Sequence, residues 1–425
     1  MGIITQPPRP IVSAYRPIQF EVFTTGDAVL IPQNAVVKLY VKGVLKSTFS
    51  VKSTEVTPNV APNIDDYKFC IDVSDKIQGL LAPFAEISSV FVLDCPTIPT
   101  DNTDSIANFY LDISYEWLNT ATNLIETQLG VNDVTNEFWA VNITRQDLEP
   151  MYLDTFTVTG SETRALTNSP KNIEVCREAN IFLSYVIAPD IFEPNAYRVV
   201  LYDSLGGVIG DAYGLLNSVS QTGHVFTFNT GIENGLKCLV NAVESVGFDL
   251  DDPNISYYTI DIGFYLFATY LIARETFTYT LQSGCKCCEK RKFRLHWLNC
   301  LGGVDSFTFC SIKELRKKTS SVTAEKALPW DKTSLTPHNP TNSSRFKTRT
   351  NNNFIYRVVS QDISNSTASW LSEMLGNVSV YLELESGQFI PVLIQDSEHL
   401  INKESGKRKL ELTIELSSCE IKQSI

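Results

Sequence analysis

The stretch Phe293-Arg-Leu-His-Trp-Leu-Asn-Cys-Leu-Gly-Gly-Val-Asp-Ser-Phe-Thr-Phe309 decides how this chain is read. It holds a histidine, a tryptophan, a cysteine and a Gly-Gly pair, so it invites a reading as an active site or a metal site. Alternation points elsewhere. Arg294, His296 and Leu298 fall on one face of a strand, and Phe293, Leu295 and Trp297 fall on the other. Gly302-Gly303 permits a bend that residues with side chains resist. Asp305 and Ser306 read as turn residues, and Phe307 and Phe309 as the start of a return strand. The stretch is therefore expected to be a β-corner, with His296 a hydrogen-bonded, partly buried imidazole.

The same alternation recurs along the chain. Residues 17–23, 36–44, 107–117, 197–203, 224–230, 379–385 and 409–416 alternate polar and apolar side chains and are rich in Val, Ile, Phe, Tyr and Thr. Such runs are half-buried strands. Ser386-Gly387-Gln388, between two of them, reads as a hairpin turn. Helical patterns are few. Residues 74–81 form one candidate, with Ser74 as N-cap. Residues 364–375 form a firmer one, where Trp370 and Met374, and Leu371 and Leu375, pair at i,i+4 and Gly376 closes the helix. The class is mainly β.

A shift of 162 residues lays residues 5–23 over 167–185. Pro8 meets Pro170, Ile11 meets Ile173, Phe20 meets Phe182 and Phe23 meets Tyr185. This predicts two similar sandwiches in tandem. The expected organisation is an N-terminal β-sandwich over 1–150, a second β-sandwich over 151–287, and a further β-domain over 288–425.

The 425 residues carry a net charge of −13 with 20% charged and 43% hydrophobic side chains, as expected of a folded multidomain chain. The charge is uneven. Residues 286–350 hold 14 Lys plus Arg against 5 Asp plus Glu, about +9, which leaves about −22 elsewhere. Within that segment, 315–353 is long and polar and reads as an extended basic arm or mobile loop. A loop of that length is expected to grip a partner, such as the acidic surface of another copy. The acidic remainder argues against nucleic-acid or anionic-membrane binding by the bulk of the chain.

No segment reads as a signal peptide, a myristoylation site or a membrane helix. The most apolar run, 262–273, lies between Asp261 and Arg274, is too short to span, and reads as a buried strand. Synthesis in a reducing cytoplasm is expected, with most of the ten cysteines as free thiols. Cys285, Cys287, Cys288 and Cys300 leave zinc, free thiols and a disulfide as open alternatives, since their spacing fits no standard ligand pattern. The acidic runs at 63–66, 101–104 and 249–252 read as solvated turns, with calcium binding as the alternative. His224, His296, His338 and His399 form no HxxxH pattern, and no GxSxG or phosphate-binding glycine loop is present. No catalytic, cofactor or metal residue is assigned, no cofactor is expected, and the chain does not read as an enzyme.

Three segments resemble virion proteins of tailed phages and prophages of Bacteroidetes hosts. They are residues 3–23, residues 165–186, and residues 274–285 leading into the His296–Phe309 run. A cysteine followed by HWLN-LGG-DSFTF is the most specific of the three, and the CKCC cluster at 285–288 departs from the pattern. The order strand–helix–strand–strand–strand over 353–416 is similar to the barrel of tail tube, distal tail and hub proteins. The resemblance implies two sandwiches followed by a tail-tube-like β-barrel domain with one flanking helix. It implies a structural part of a tail, hub or baseplate, acting by subunit contact. Its partners would be copies of itself in a ring, other tail or baseplate proteins and, transiently, exiting phage DNA, with no membrane. The protein would be made in the host cytoplasm and reside in the virion tail. The alternative is a receptor- or glycan-binding tail adhesin.

Overall fold

A computed structural model describes residues 2–7, 11–27, 29–58, 64–81, 100–102, 106–127, 133–142, 165–187, 196–215, 224–232, 236, 245–246, 248–266, 270–282, 293–325, 345–377, 380–384, 388–395 and 409–416. The chain is mainly β. It divides into two compact units: residues 1–283 with 298–306, and residues 284–297 with 307–425.

The first unit begins with β1 (Gly2–Thr5), β2 (Ile11–Ser13), β3 (Gln19–Asp27), β4 (Leu30–Val41), β5 (Val44–Lys52), β6 (Glu55–Pro58) and β7 (Ile64–Asp72). After the short α1 (Ser74–Gln78) come β8 (Thr100–Asn102), β9 (Ile106–Asn119), β10 (Leu124–Thr127), β11 (Asp133–Val134) and β12 (Phe138–Val141). One sheet runs β1-β3-β7-β6. The facing sheet runs β2-β12-β9-β4-β5, with β10 and β11 continuing along the same long β9. In immunoglobulin lettering these are A-B-E-D and A′-G-F-C-C′. Alternation sends Phe20, Val22, Phe69 and Ile71 from one sheet, and Val37, Leu39, Phe109 and Leu111 from the other, into a single core. Phe20 on strand B meets Phe109 on strand F edge to face at 6.5 Å, the pair of strands that a disulfide bridges in antibody domains.

The second sandwich uses β13 (Asn172–Val175), β14 (Phe182–Ile187), β15 (Ala196–Tyr202), β16 (Val208–Leu215), β17 (His224–Asn229), β18 (Ser245–Val246), β19 (Tyr257–Leu266) and β20 (Tyr270–Leu281). Its sheets run β13-β20-β19-β15-β16-β18 and β14-β17-β8. The order A′-G-F-C-C′ is repeated strand for strand. In both sandwiches A′ lies parallel to G (β2 on β12, β13 on β20), whereas F and C are antiparallel neighbours. The 162-residue register seen in sequence also extends further than residue 185. It carries core residues Val37 and Leu39 onto Val199 and Leu201, all fully buried.

Three features depart from the sequence reading here. The division at residue 150 is crossed by β8, which pairs with β17 (Thr100↔Thr227 to Asn102↔Val225) in the place where the first sandwich has its own strand D. The apolar run 262–273 is not one strand. It is the end of β19 and the start of β20, paired from Gly263↔Ala273 to Leu266↔Tyr270. An unbroken apolar run gives the sequence no sign of where one strand ends and the next begins. In α1 the N-cap position is Val73, not Ser74; Ser74 is the first helical residue and its N–H donates to Asp72 Oδ1 at 2.9 Å.

The second unit holds one seven-stranded sheet of β21 (Phe293–Leu298), β22 (Val304–Phe309), β23 (Ser311–Glu325), β24 (Arg345–Val359), β25 (Val380–Glu383), β26 (Phe389–Ile394) and β27 (Glu411–Leu416). Its order is β22-β21-β25-β26-β27-β24-β23. The two edge strands are consecutive in the chain, separated by Cys310 alone. A sheet whose opposite edges are one residue apart must curl until they meet there, which gives it a half-barrel form. The helix α2 (Asn365–Leu375) turns Ala368, Trp370, Leu371 and Met374 into this unit's core, where Trp370 meets Trp297 at 5.3 Å and Phe307 at 6.2 Å. Ser364 caps it as expected, its Oγ accepting from Thr367 N at 3.1 Å.

Candidate interaction surface

The polar arm expected at 315–353 is not a loop where the structure describes it. β23 and β24 pair antiparallel along their whole length, from Ser311↔Val359 to Glu325↔Arg345. The base of this ribbon is held by the sheet. Lys313 donates to Glu411 at 2.6 Å, Arg357 pairs with the same carboxylate, and β24 pairs with β27 over Phe354–Val359. Asn353 and Gln395 donate to Glu415, whose carboxyl they hold below its ordinary range.

Among the described residues, β27 pairs with β24 only from Phe354 to Val359, and the ribbon runs on past that pairing. Arg345–Asn353 is about nine residues, roughly 30 Å at about 3.3 Å per residue. On β23 every residue from Leu315 to Thr319 is exposed, so both faces of that strand meet solvent. This explains why the ribbon read as a loop. A strand that is wet on both faces has no reason to alternate polar and apolar side chains, and the period-two signal vanishes. The ribbon's overhang carries Lys318, Arg345, Lys347 and Arg349 against Glu325. Nearer the base, Arg316 donates to Glu314 and lowers that carboxyl, and Lys317 Nζ stands 5.7 Å from the Phe354 ring centre. An isolated two-stranded ribbon is marginal in water, and a basic one attracts an acidic surface.

The His296 stretch is built for architecture. His296 is fully buried, more deeply than its sequence implied. Its Nε2 lies 2.9 Å from Glu383 Oε2, while Arg294 donates to Glu383 Oε1 at 2.8 Å. Strand pairing explains the trio: Arg294 is the register partner of Glu383 on β25, and His296 of Tyr381 two residues away. Burial pushes the imidazole pKa down, against the opposing pull of the Glu383 carboxylate.

The corner itself belongs to the first unit. Asn299 Oδ1 accepts the N–H groups of Leu301 (2.9 Å) and Gly303 (3.0 Å), and its Nδ2 donates to Leu166 O at 2.6 Å. Gly302 has φ +82°, and a Cβ on Gly303 would lie 2.2 Å from Leu166 O. Val304 N donates to Ser184 Oγ at 3.1 Å. Asp305 is not a turn residue. It is buried in β22 and accepts from Thr167 Oγ1 at 2.6 Å. Nearby, the buried Glu275 accepts from Ala165 N at 2.6 Å and Tyr185 OH at 3.2 Å and pairs with Lys171.

Of the cysteines weighed for zinc, Cys285, Cys287 and Cys288 lie outside the described residues. Cys300 sits in the corner, 3.6 Å from Asn168 Nδ2, and Cys310 lies 3.6 Å from Gln361 Oε1. Among the described residues no three His, Cys, Asp or Glu side chains converge as metal ligands. The acidic run at 249–252 is a turn whose carboxylates cap it: Asp249 Oδ1 accepts Asp251 N, and Asp252 Oδ1 accepts Asn254 N. Asp65 and Asp66 lie in β7, Asp101 and Asn102 lie in β8, and residues 63, 103 and 104 fall outside the described residues. His338 and His399 also fall outside them, and His224 opens β17. No helix among the described residues is long and apolar enough to cross a membrane. No protein-family model matches the chain, and no curated protein matches it.

Proposed function

We propose that this chain is a structural component of a phage virion tail, of the tube, hub or baseplate kind, that works by subunit contact and not by a reaction. The observation that carries the reading is the basic β-ribbon, held at its base by a half-barrel sheet and continued past the described β24–β27 pairing with β23 exposed on both faces, in a chain that is otherwise acidic. Such a ribbon gains its order on a complementary surface. Copies of this chain supply one, since the residues outside 286–350 carry about −22. The half-barrel with its flanking helix supports a tube-like role, because rings of such domains are closed by pairing between neighbouring curved sheets. The two sandwiches then decorate the ring. Other tail or baseplate proteins are the further partners.

The reading is tested by sedimentation of the purified full chain at rising salt, beside the variant Arg316→Glu/Lys317→Glu/Lys318→Glu. Association that weakens as salt rises, and whose salt-sensitive part the triple variant loses, supports it. A size distribution that changes with neither salt nor the triple substitution removes the ribbon from the account.

A further inference from the structure

Both sandwiches carry the same surface feature at the same place. In the first, Tyr40 on β4 is the register partner of Tyr110 on β9 and of Leu45 on β5. The two rings stack with centroids 4.9 Å apart and planes 2° apart. In the second, Tyr202 on β15 is the register partner of Tyr257 on β19 and of Val208 on β16. Those rings stack at 4.6 Å and 5°. The 162-residue register carries Tyr40 onto Tyr202. In each sandwich the C–C′ pairing shifts register at that tyrosine, between Leu39 and Tyr40 and between Leu201 and Tyr202. The residues just before, Leu39 and Leu201, are fully buried, so the tyrosines face away from the core. Leu45 and Val208 are 47% and 62% exposed.

Neither core needs an aliphatic–Tyr–Tyr row on its outer face. Tyrosine offers a large rigid contact area with a polar tip, and it is enriched at the centres of protein interfaces. The charges beside the two rows differ. The first C–C′ hairpin, residues 41–52, carries Lys42, Lys46 and Lys52 and no acid. The second, residues 202–215, carries Asp203 and Asp211 and no base. Asp211 already pairs with Arg198 at 3.0 Å, whereas Asp203 Oδ1 accepts the N–H groups of Leu205 and Gly207 and so is held beside the row. At the opposite end each row approaches a glutamate, Glu137 or Glu174, so the two rows are told apart by charge only at the C′ end.

We propose that the two rows are the halves of one contact between copies of this chain. The Leu45–Tyr40–Tyr110 row of one copy docks on the Val208–Tyr202–Tyr257 row of a second, with Lys42 and Lys46 against Asp203. The contact is heterologous, so it builds a ring or an open chain of copies and not a two-fold dimer. It is independent of the basic ribbon.

Complementation in the full-length chain tests it, in the ribbon triple-variant background so that the two contacts are read apart. Tyr40→Ser/Tyr110→Ser removes one row and Tyr202→Ser/Tyr257→Ser removes the other. Each variant alone is expected to sediment as a monomer, with association weakened about tenfold or more, and an equimolar mixture is expected to form a heterodimer and nothing larger. Should either variant misfold by circular dichroism, the exposed charge swaps take its place: Lys46→Glu weakens association, and mixing with Asp203→Lys restores it. Three outcomes overturn the proposal. One is a parent chain that stays monomeric at high concentration. Another is a variant pair in which only one row matters, which means a two-fold contact. The third is loss of binding on a glycan array with self-association unchanged, which assigns the rows to sugar.

Discussion

Removing one amide group tests whether the corner is held as described. Asn299 is 2% exposed, and its side chain makes three hydrogen bonds, to Leu166 O, Leu301 N and Gly303 N, all on buried residues. Asn299→Ala leaves three buried backbone groups without that partner. An unsatisfied buried group costs about 1–3 kcal/mol. Taking the low end for each, because a water can enter the space of the lost amide, gives about 3 kcal/mol. The cost is local, so it is best read by hydrogen exchange of the Leu301 and Gly303 amides in the full chain. Where local opening governs exchange, about 3 kcal/mol corresponds to roughly a hundredfold faster exchange. Asn299→Asp sharpens the test. It keeps the acceptor for Leu301 and Gly303 but aims a carboxylate at the Leu166 carbonyl. The geometry raises that carboxyl's pKa in the folded state, so its proton, when bound, donates to Leu166 O. Relative to the parent chain, Asn299→Asp is then most stable below the unfolded aspartate pKa of about 3.9 and loses stability as pH rises through the folded value. Exchange within threefold of the parent for Asn299→Ala, at an unchanged urea midpoint, would refute this account of the corner.

The remaining expectations concern packing, charge and pH. Gly303→Ala must push a methyl group against the Leu166 carbonyl, so it should cost about 1–3 kcal/mol in denaturant titrations, whereas exposed Gly376→Ala, with nothing near its Cβ, should cost well under that. Glu383→Ala strands the buried Arg294 charge and the His296 ring, and should lose about 3–5 kcal/mol in the transition that reports on the second unit. Burial lowers the folded pKa of His296, so the unfolded chain takes up that proton first. The histidine's contribution is complete above about pH 6.5 and falls away below it, and His296→Gln should flatten that slope in thermal melts across pH 5–8.

Much of the fold was legible because half-buried strands announce themselves. Phe20, Val37, Leu39, Phe109 and Ile414 all lie in alternating runs and all enter a core. The tandem repeat was seen in the first strands; its 162-residue register holds as far as Tyr40 and Tyr202 and is lost by strand F, where Tyr110 corresponds to Tyr257 and not to residue 272. What sequence could not show were the contacts made across that distance. Strand β8 is three residues long and borrows its sheet from β17, more than 120 positions away in sequence. The ribbon looked like a loop because neither face of β23 is buried over Leu315–Thr319. The tyrosine rows were invisible for a related reason. Tyr40 and Tyr110, like Tyr202 and Tyr257, sit in ordinary alternating strands, and only the pairing of C with F sets them ring to ring. His296 looked like chemistry because histidine and tryptophan are rare here, yet its partner Glu383 lies on another strand and closes the pair off from solvent.

The central claim, a structural tail protein, is most directly tested by negative-stain imaging of virions carrying a label on this chain. The account predicts label at the tail, hub or baseplate, in a repeating number per particle. Label in the capsid shell, or particles that carry none, would contradict it.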